Sequence, residues 1–199
     1  ASDAILNDIT LLGVGGLATG GITTLGGIGS GYLYPAFRGQ IAYTTPNMNG
    51  LQVTLGITNP DQGQDASGLA DYDDRFGLEG KAVYSMGSGK VWAGFSSYDV
   101  ADSAGDYDAT AGEIGAAFNA GNLGLVAYYY SGEGNGAGLG LNRLGAGLAN
   151  ERDNDGGYIQ ATYVSPSGKQ LGVARATSSH ALAPARTAGG PAAHERQIR

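Results

Sequence analysis

From residue 40 onward, apolar and polar residues alternate along the chain in short blocks. The clearest block is Leu51–Thr58, in which every odd-numbered residue is leucine, valine or isoleucine and every even-numbered residue is glutamine, threonine or glycine. Successive side chains of a β-strand point to opposite faces, so a period of two places all the aliphatic groups on one face. The block therefore predicts a strand with one apolar face and one polar face.

Repetition of this pattern predicts eight strands arranged as four hairpins. The predicted pairs are Gln40–Thr45 with Leu51–Thr58, Arg75–Met86 with Lys90–Tyr98, Ala109–Ala120 with Asn122–Tyr130, and Gly157–Val164 with Lys169–Ala174. Within each pair, the connection is a short turn that contains glycine. The sequence therefore predicts an all-β antiparallel fold.

The connections between the hairpins are longer and polar, at Asn59–Asp74, Asp99–Asp108 and Ser131–Gly156. Their acidic residues include Asp61, Asp65, Asp99, Asp102, Asp106 and Asp108. Compact soluble domains rarely carry several loops of this length. Short turns at one end of the strands and long loops at the other are typical of outer-membrane β-barrels.

The strand predicted at Arg75–Met86 separates charged from apolar side chains. Alternation places Arg75, Glu79 and Lys81 on one face, while the other face carries apolar residues such as Leu78. A soluble β-sandwich would turn the apolar face inward, whereas a barrel in lipid would turn it outward around a water-filled lumen. Alternation alone leaves both architectures open.

The positions of the aromatic residues favour the barrel. Aromatic side chains fall on the apolar face at two levels, one near the short turns and one near the long connections. The first level contains Tyr43, Tyr84, Phe118 and Tyr163, and the second contains Phe76 and Tyr129. Two aromatic levels are typical of the girdles that lie at the two membrane interfaces of a barrel.

Composition narrows the function classes. Glycine supplies 37 of the 199 residues and charged residues only 15%, whereas soluble domains average about 7% and about 25%. The chain has no cysteine, and its two histidines lie among the last twenty residues, so we expect no metal site and no cofactor. The net charge of −7 argues against a nucleic-acid partner. No apolar run is long enough for a transmembrane helix.

Several stretches resemble the general porins of Gram-negative bacteria. They are SDAILNDITLLGVGG at Ser2–Gly16, TTLGGIGSGYLYPAFRGQIAYTTPNMNGLQVTLGITNPDQ at Thr23–Gln62, YDDRFGLEGKAVYSMG at Tyr72–Gly87 and GGYIQATYVSPSGKQLGV at Gly156–Val173. In that family, an IAYTTP-type strand, a short turn and an LQV-type strand form a recognisable hairpin. The resemblance covers residues 2 to 173.

The resemblance implies a transmembrane barrel of sixteen antiparallel strands, assembled as a homotrimer in the bacterial outer membrane. About half of such a barrel fits in 199 residues. Residues 1–39 would then correspond to the loop that folds into the lumen and narrows it, and residues 40–174 to the barrel hairpins. The implied function is passive diffusion of small hydrophilic solutes and ions. The implied partners also include the lipid bilayer and lipopolysaccharide.

The resemblance and the alternation together suggest charged residues that line the pore. Asp3 and Asp8 are acidic, as is one side of the constriction in that family. Arg38, Arg75 and Lys81 are the basic candidates that would oppose them. Alternation adds two acidic residues of the lumen, which are Glu79 and Glu113. Each of these residues could instead be a solvated charge at the rim.

The carboxyl-terminal segment, residues 175–199, departs from the pattern. It contains four arginines, one glutamate and both histidines, and it lacks alternation. Arg175 would follow Leu171 and Val173 onto the lipid face, where an arginine at the bilayer midplane costs about 2–4 kcal/mol. We expect an irregular tail here, either a truncated or frame-shifted reading or a natural disordered tail.

Two other function classes are alternatives to the pore. A soluble or surface-anchored β-rich protein could use glycine-rich loops for adhesion or binding. An outer-membrane enzyme is disfavoured because residues 40–174 contain no histidine that could act as a base. We therefore expect a pore and no catalytic activity.

Overall fold

The computed structural model of the protein describes residue 31 and residues 40–58, 76–100, 107–134 and 153–180. These residues form one open sheet of eight antiparallel strands, and each strand pairs with the next along the chain. The strands are β1 Gln40–Thr44, β2 Leu51–Thr58, β3 Gly77–Met86, β4 Gly89–Val100, β5 Tyr107–Ala120, β6 Leu123–Glu133, β7 Asp153–Val164 and β8 Gln170–His180. In this described part of the chain there is no helix, and hence none that could cross a membrane.

The eight strands and their pairing agree with the sequence pattern, but several boundaries differ. At the two ends of the predicted loop Ser131–Gly156, residues 131–133 belong to β6 and residues 153–156 to β7. Strand β8 continues to His180. The irregular tail that we predicted to begin at Arg175 is therefore wrong for residues 175–180, which belong to the strand. Backbone pairing explains the difference, because β7 begins at Asp153 and offers partners along the whole of β8. Strand length here follows the hydrogen-bonded partner rather than the alternation of side chains.

A further difference concerns the acidic connection between β4 and β5. Asp99 and Asp108, which the sequence placed in a loop, are strand residues that face each other in the β4–β5 pair. The ladder therefore runs two residue pairs further than Tyr98, the predicted end of this strand. Polar composition indicated a loop at positions where backbone pairing continues.

The turn between β1 and β2 follows from its sequence. Asn49 and Gly50 have φ angles of 54° and 96°, and Met48 and Leu51 exchange backbone hydrogen bonds of 2.8 and 3.1 Å around them. A two-residue hairpin turn with positive φ at both positions favours Asn-Gly, because these two residues tolerate that conformation best. The Asn47 side chain also accepts a 2.7 Å hydrogen bond from the Gly50 backbone.

The register sorts the side chains into two faces, as the alternation predicted. One surface, which we call the apolar face, carries the exposed large hydrophobic side chains of all eight strands, including Ile41 at 76%, Leu171 at 70% and Ile114 at 60% exposure. The opposite surface, the polar face, carries Glu79, Lys81 and Glu113. The same face also holds the most buried large side chains of the described residues.

Those buried side chains form an aromatic cluster of Trp92, Tyr128, Tyr130 and Tyr158, each no more than 5% exposed. The rings of Tyr128 and Tyr158 stack with centroids 5.3 Å apart, and those of Trp92 and Tyr128 lie 6.5 Å apart. Tyr130 is tilted against Tyr128 at 6.3 Å. These separations lie in the range in which aromatic pairs attract. The cluster joins β4, β6 and β7.

Two glycines make room for this cluster. The ring of Trp92 lies over Gly115, its cross-strand partner on β5, so closely that a Cβ atom on Gly115 would overlap it. The ring of Tyr130 covers Gly156 in the same way, 2.6 Å from the position of a Cβ atom. Part of the high glycine content therefore serves close packing of rings on the strand backbone.

Replacement of Gly115 by alanine should destabilise the sheet. The added methyl group must displace the Trp92 ring, and overpacking of this kind costs about 1–3 kcal/mol. Gly112 is the matched control on the same strand, because a Cβ atom there would meet only the Gly94 oxygen, at 3.9 Å. Denaturant unfolding should show a loss for Gly115→Ala and a change within about 0.5 kcal/mol for Gly112→Ala. Equal effects of the two variants would contradict the packing role of Gly115.

Candidate functional site

The candidate site is the polar face around Glu79, Lys81 and Glu113. Lys81 on β3 faces Gly94 on β4, and Gly94 in turn faces Glu113 on β5. The basic and the acidic residue thus share one cross-strand row and are separated by a single strand, a backbone distance of about 10 Å. The sheet therefore brings three of the predicted pore residues onto one face.

Glu113 is held in place by a neighbouring tyrosine. The Tyr128 hydroxyl donates a 2.7 Å hydrogen bond to Glu113 Oε2. The Glu113 side chain also extends over Gly94, because a Cβ atom on Gly94 would lie 3.0 Å from Glu113 Cγ and 3.1 Å from its Oε1. Gly94 lies between β3 and β5, so the carboxylate leans toward the strand that carries Lys81.

Glu79 has a comparable support at the other edge of the site. Gln40 Nε2 on β1 donates a 2.7 Å hydrogen bond to Glu79 Oε2 on β3. The two side chains meet across Gly56 on the intervening strand β2, which pairs with Glu79. A Cβ atom on Gly56 would lie 2.9 Å from Gln40 Nε2, so glycine again leaves room for a side-chain contact above the backbone.

A second cation, Lys90, joins the site from the turn end of β4. Its Nζ lies 5.7 Å from the centroid of the Trp92 ring, within the range of a cation–π interaction. Lys90 is not among the site residues predicted from the sequence. Its spacing of two residues from Trp92 places both side chains on the same strand face, which is the signal that could have identified the pair.

One row of cross-strand neighbours carries polar groups over the full width of the sheet. From β1 to β8 it consists of Thr44, Thr54, Lys81, Gly94, Glu113, Tyr130, Gly156 and Ser178. At its β1 end, the hydroxyls of Thr44 and Thr54 share a 2.8 Å hydrogen bond. We call this the polar row. Its charges and hydroxyls can exchange hydrogen bonds with water, ions and polar solutes.

The other predicted site residues, Asp3, Asp8, Arg38 and Arg75, lie outside the described residues. Their relation to the polar row is therefore an expectation from the sequence. Within the described ranges, no three histidine, aspartate or glutamate side chains lie close enough together to hold a metal ion.

The apolar face carries a groove of about 750 Å³. Small side chains contribute much of its lining, among them Ala82, Ala93, Ala116 and Ala127. Arg175 lines the β8 end of the groove, where it faces Ile159 on β7. Alternation predicts Arg175 on the same face as Leu171 and Val173, and the register confirms this position.

Comparison with known proteins found no matching protein family, no similar curated protein and no similar solved structure. The resemblance to porins therefore stays an expectation from the quoted motifs.

The hydrogen bond between Tyr128 and Glu113 should be measurable as a coupling energy. Tyr128→Phe removes the donor, and Glu113→Gln removes the charge that strengthens the bond, so each should lower the free energy of unfolding by about 1–2 kcal/mol. In a double-mutant cycle, the two effects should overlap by about 1 kcal/mol. Tyr129→Phe is the control, because Tyr129 is 52% exposed on the opposite face. Strictly additive effects would disprove the coupling.

Proposed function

We propose that this sheet forms part of the wall of an outer-membrane pore, through which small hydrophilic solutes and ions diffuse passively. The observation that carries the proposal is the apolar face. Large hydrophobic side chains are exposed there on every strand, and they include Leu55 at 57%, Leu78 at 54% and Val173 at 70%. A continuous exposed apolar surface of this extent requires an apolar partner.

A lipid bilayer is the partner that fits both faces. In lipid, the apolar side chains of a spanning sheet point outward, and the polar side chains line an aqueous interior. The polar row would then lie in water together with Glu79. In this arrangement the lumen wall carries acidic and basic groups side by side, which suits the passage of polar solutes and requires no chemical reaction.

The aromatic residues of the apolar face support this orientation. Tyr43, Tyr84, Phe118 and Tyr163 lie close to the short turns and are exposed at 39–67%. At the opposite end, Phe76 and Tyr129 are 67% and 52% exposed. Aromatic rings are typical of both membrane interfaces of a barrel, and four of these six rings carry a tyrosine hydroxyl that can reach water there.

Strand order is compatible with closure of the sheet. With eight strands in up-and-down order, the edge strands β1 and β8 run antiparallel to each other. Their unpaired backbone groups cannot be satisfied by lipid, so the pore needs further strands, from the same chain or from other copies. Sixteen strands, assembly as a homotrimer and contact with lipopolysaccharide are the arrangement that the porin resemblance implies.

The alternative function is adhesion or binding by a soluble or surface-anchored β-rich protein. The aromatic cluster favours it to some degree, because four buried rings give the polar face a small core of its own. In that case, another protein surface would have to cover the apolar face. The two functions therefore differ in what contacts Leu78 and its neighbours.

Single cysteines should separate the two functions, since the native chain has none. In membrane vesicles, cysteines at 79 and 81 should react with a membrane-impermeant thiol reagent, whereas those at 78 and 82 should not. Fluorophores attached at 78 and 82 should be quenched by lipids with brominated acyl chains, because the apolar face contacts lipid. As a control, labelling of the urea-unfolded variants should show that each thiol can react with the reagent once it is exposed. Protection at 78 and 82 without quenching by lipid would support the adhesion protein instead.

The proposed pore should show a weak preference for cations. On the described polar face, two acids, Glu79 and Glu113, balance two bases, Lys81 and Lys90, so the acidic residues of the predicted long loops tip the balance toward cations. Salt should weaken the preference, because the Debye length is only about 8 Å at physiological ionic strength. In conducting channels whose barrel is complete, reversal potentials across a potassium chloride gradient should shift further toward cations for Lys81→Glu.

Lys169→Glu serves as the matched control, since Lys169 lies in the exposed turn between β7 and β8. It changes the net charge by the same amount and should change the selectivity much less. A clear anion preference of the native channel at low salt would show that the basic residues dominate.

A further inference from the structure

Both edges of the sheet are open and unprotected. Among the described residues, β1 and β8 each pair with one neighbour only, so each has one row of backbone N–H and C=O groups without a strand partner. Soluble β-proteins normally protect such edges with charged residues, proline or bulges. Neither Gln40–Thr44 nor the first five residues of β8, which end at Ala174, include a charged residue or a proline. These two segments are therefore suited to pair with another strand.

The two edges also carry the most exposed apolar side chains. Ile41 and Tyr43 on β1 are 76% and 67% exposed, and Leu171 and Val173 on β8 are both 70% exposed. Four of the five highest values among the large hydrophobic side chains of the described residues thus belong to the edges. Each of these side chains has a neighbouring strand on one side only. A strand added at either edge would cover them.

The sheet already contains twice the contact that would join the two edges. Where one hairpin pairs with the next, a leucine that follows a short turn faces a tyrosine that precedes the next short turn. These pairs are Leu51–Tyr84 and Leu123–Tyr163. Leu171 is likewise the first apolar residue of β8 after its turn, and Tyr43 lies shortly before the turn that joins β1 to β2. With Leu171 opposite Tyr43, the next pair on the same face is Val173 with Ile41.

The stagger of the strands fits closure by this contact. With Leu171 opposite Tyr43, Gln170 lies opposite Thr44. Within one copy, the polar row leads from Thr44 to Ser178, which lies eight residues beyond Gln170 on β8. Eight residues of stagger over eight strands correspond to a strand tilt of about 35°, for a rise of about 3.3 Å per residue and a strand spacing of about 4.8 Å. Strands of closed barrels are tilted by about 35–45°.

We propose that a second copy of this chain completes the barrel, with β8 of each copy paired to β1 of the other. Because β1 and β8 run antiparallel, the two copies have all short turns at one end and all apolar faces outward. A rotation of 180° about the barrel axis exchanges the copies, so the two contacts are identical. Closure of one copy onto itself fits less well, because eight strands leave room only for side chains, whereas sixteen enclose an aqueous lumen. This choice between one copy and two rests on the proposed pore function.

Cysteine crosslinking of the full chain tests the pairing. Tyr43→Cys and Leu171→Cys, made as separate single variants, are mixed unfolded, refolded together into lipid vesicles and oxidised. Opposed residues of an antiparallel pair have Cα atoms about 4.5–5.5 Å apart, which a disulfide can span. The mixture should yield a disulfide-linked dimer that is absent from either variant alone. Ile41→Cys mixed with Val173→Cys repeats the test at the next pair. Ala42→Cys mixed with Leu171→Cys is the matched control and should not crosslink, because residue 42 lies on the opposite face.

The double variant Tyr43→Cys/Leu171→Cys tests the number of copies. Its products should stop at a dimer with two disulfides. A crosslink within one copy would show that the chain closes on itself, and larger covalent oligomers would show an open row of copies. Absence of a crosslink at both pairs would show that other strands cover the edges. Each of these three results would overturn the proposal.

Formation of the crosslink does not depend on transport, so the pairing and the proposed pore can fail separately. A covalent dimer that shows neither solute flux nor contact with acyl chains would contradict the pore and leave the pairing of two copies in place. Solute flux without a crosslink between copies would support the pore and overturn the pairing.

Discussion

The antiparallel register between neighbouring strands is the constraint on which the other features of this sheet depend. Each side chain faces a fixed partner, and a shift of one residue would move every apolar side chain to the other face. The pairs Ile57–Leu78 on the apolar face and Thr54–Lys81 on the polar face show how one register serves both. The polar row, the aromatic cluster and the separation of Glu79, Lys81 and Glu113 from the exposed aliphatic side chains all follow from this single alignment.

Glycine has a structural role that composition alone does not reveal. At Gly115 and Gly156, its missing side chain lets a ring lie on the strand backbone, and at Gly94 it leaves space for the Glu113 carboxylate. Large and small residues therefore alternate across the strands as well as along them. The rings in turn cover backbone that glycine would otherwise expose, so aromatic and glycine residues stabilise the sheet as pairs.

The sequence was sufficient for the strands, their order and their faces, because a period of two and glycine-containing turns are local signals. The sequence was insufficient where a strand boundary or a side-chain contact depends on the neighbouring strand. Strand β8 extends through Arg175 to His180 because β7 offers hydrogen-bonding partners, and the sequence of residues 175–180 has no pattern that predicts this extension. Glu79, Lys81 and Glu113 could be assigned to one kind of face, but their support by Gln40 and Tyr128 depends on register. The contact of Gly31 with Ser178 joins positions 147 residues apart, and no sequence period connects them.

The height of the apolar face also varies from strand to strand, and this bears on what surrounds the proposed pore. On β6 the face is apolar from Leu123 to Tyr129, a span of about 20 Å, close to the roughly 25 Å band of a transmembrane barrel. On β8 the face is apolar only at Leu171 and Val173, about 7 Å apart, and then continues with Arg175, Thr177 and Ser179. Acyl chains along this upper half of β8 would contact a guanidinium and two hydroxyls, at a cost of about 2–4 kcal/mol for the arginine at the midplane alone. A polar protein surface removes that cost, because it can supply hydrogen-bond acceptors to Arg175. Within the proposed pore, the outward side of β8 therefore fits a neighbouring protein subunit better than it fits lipid.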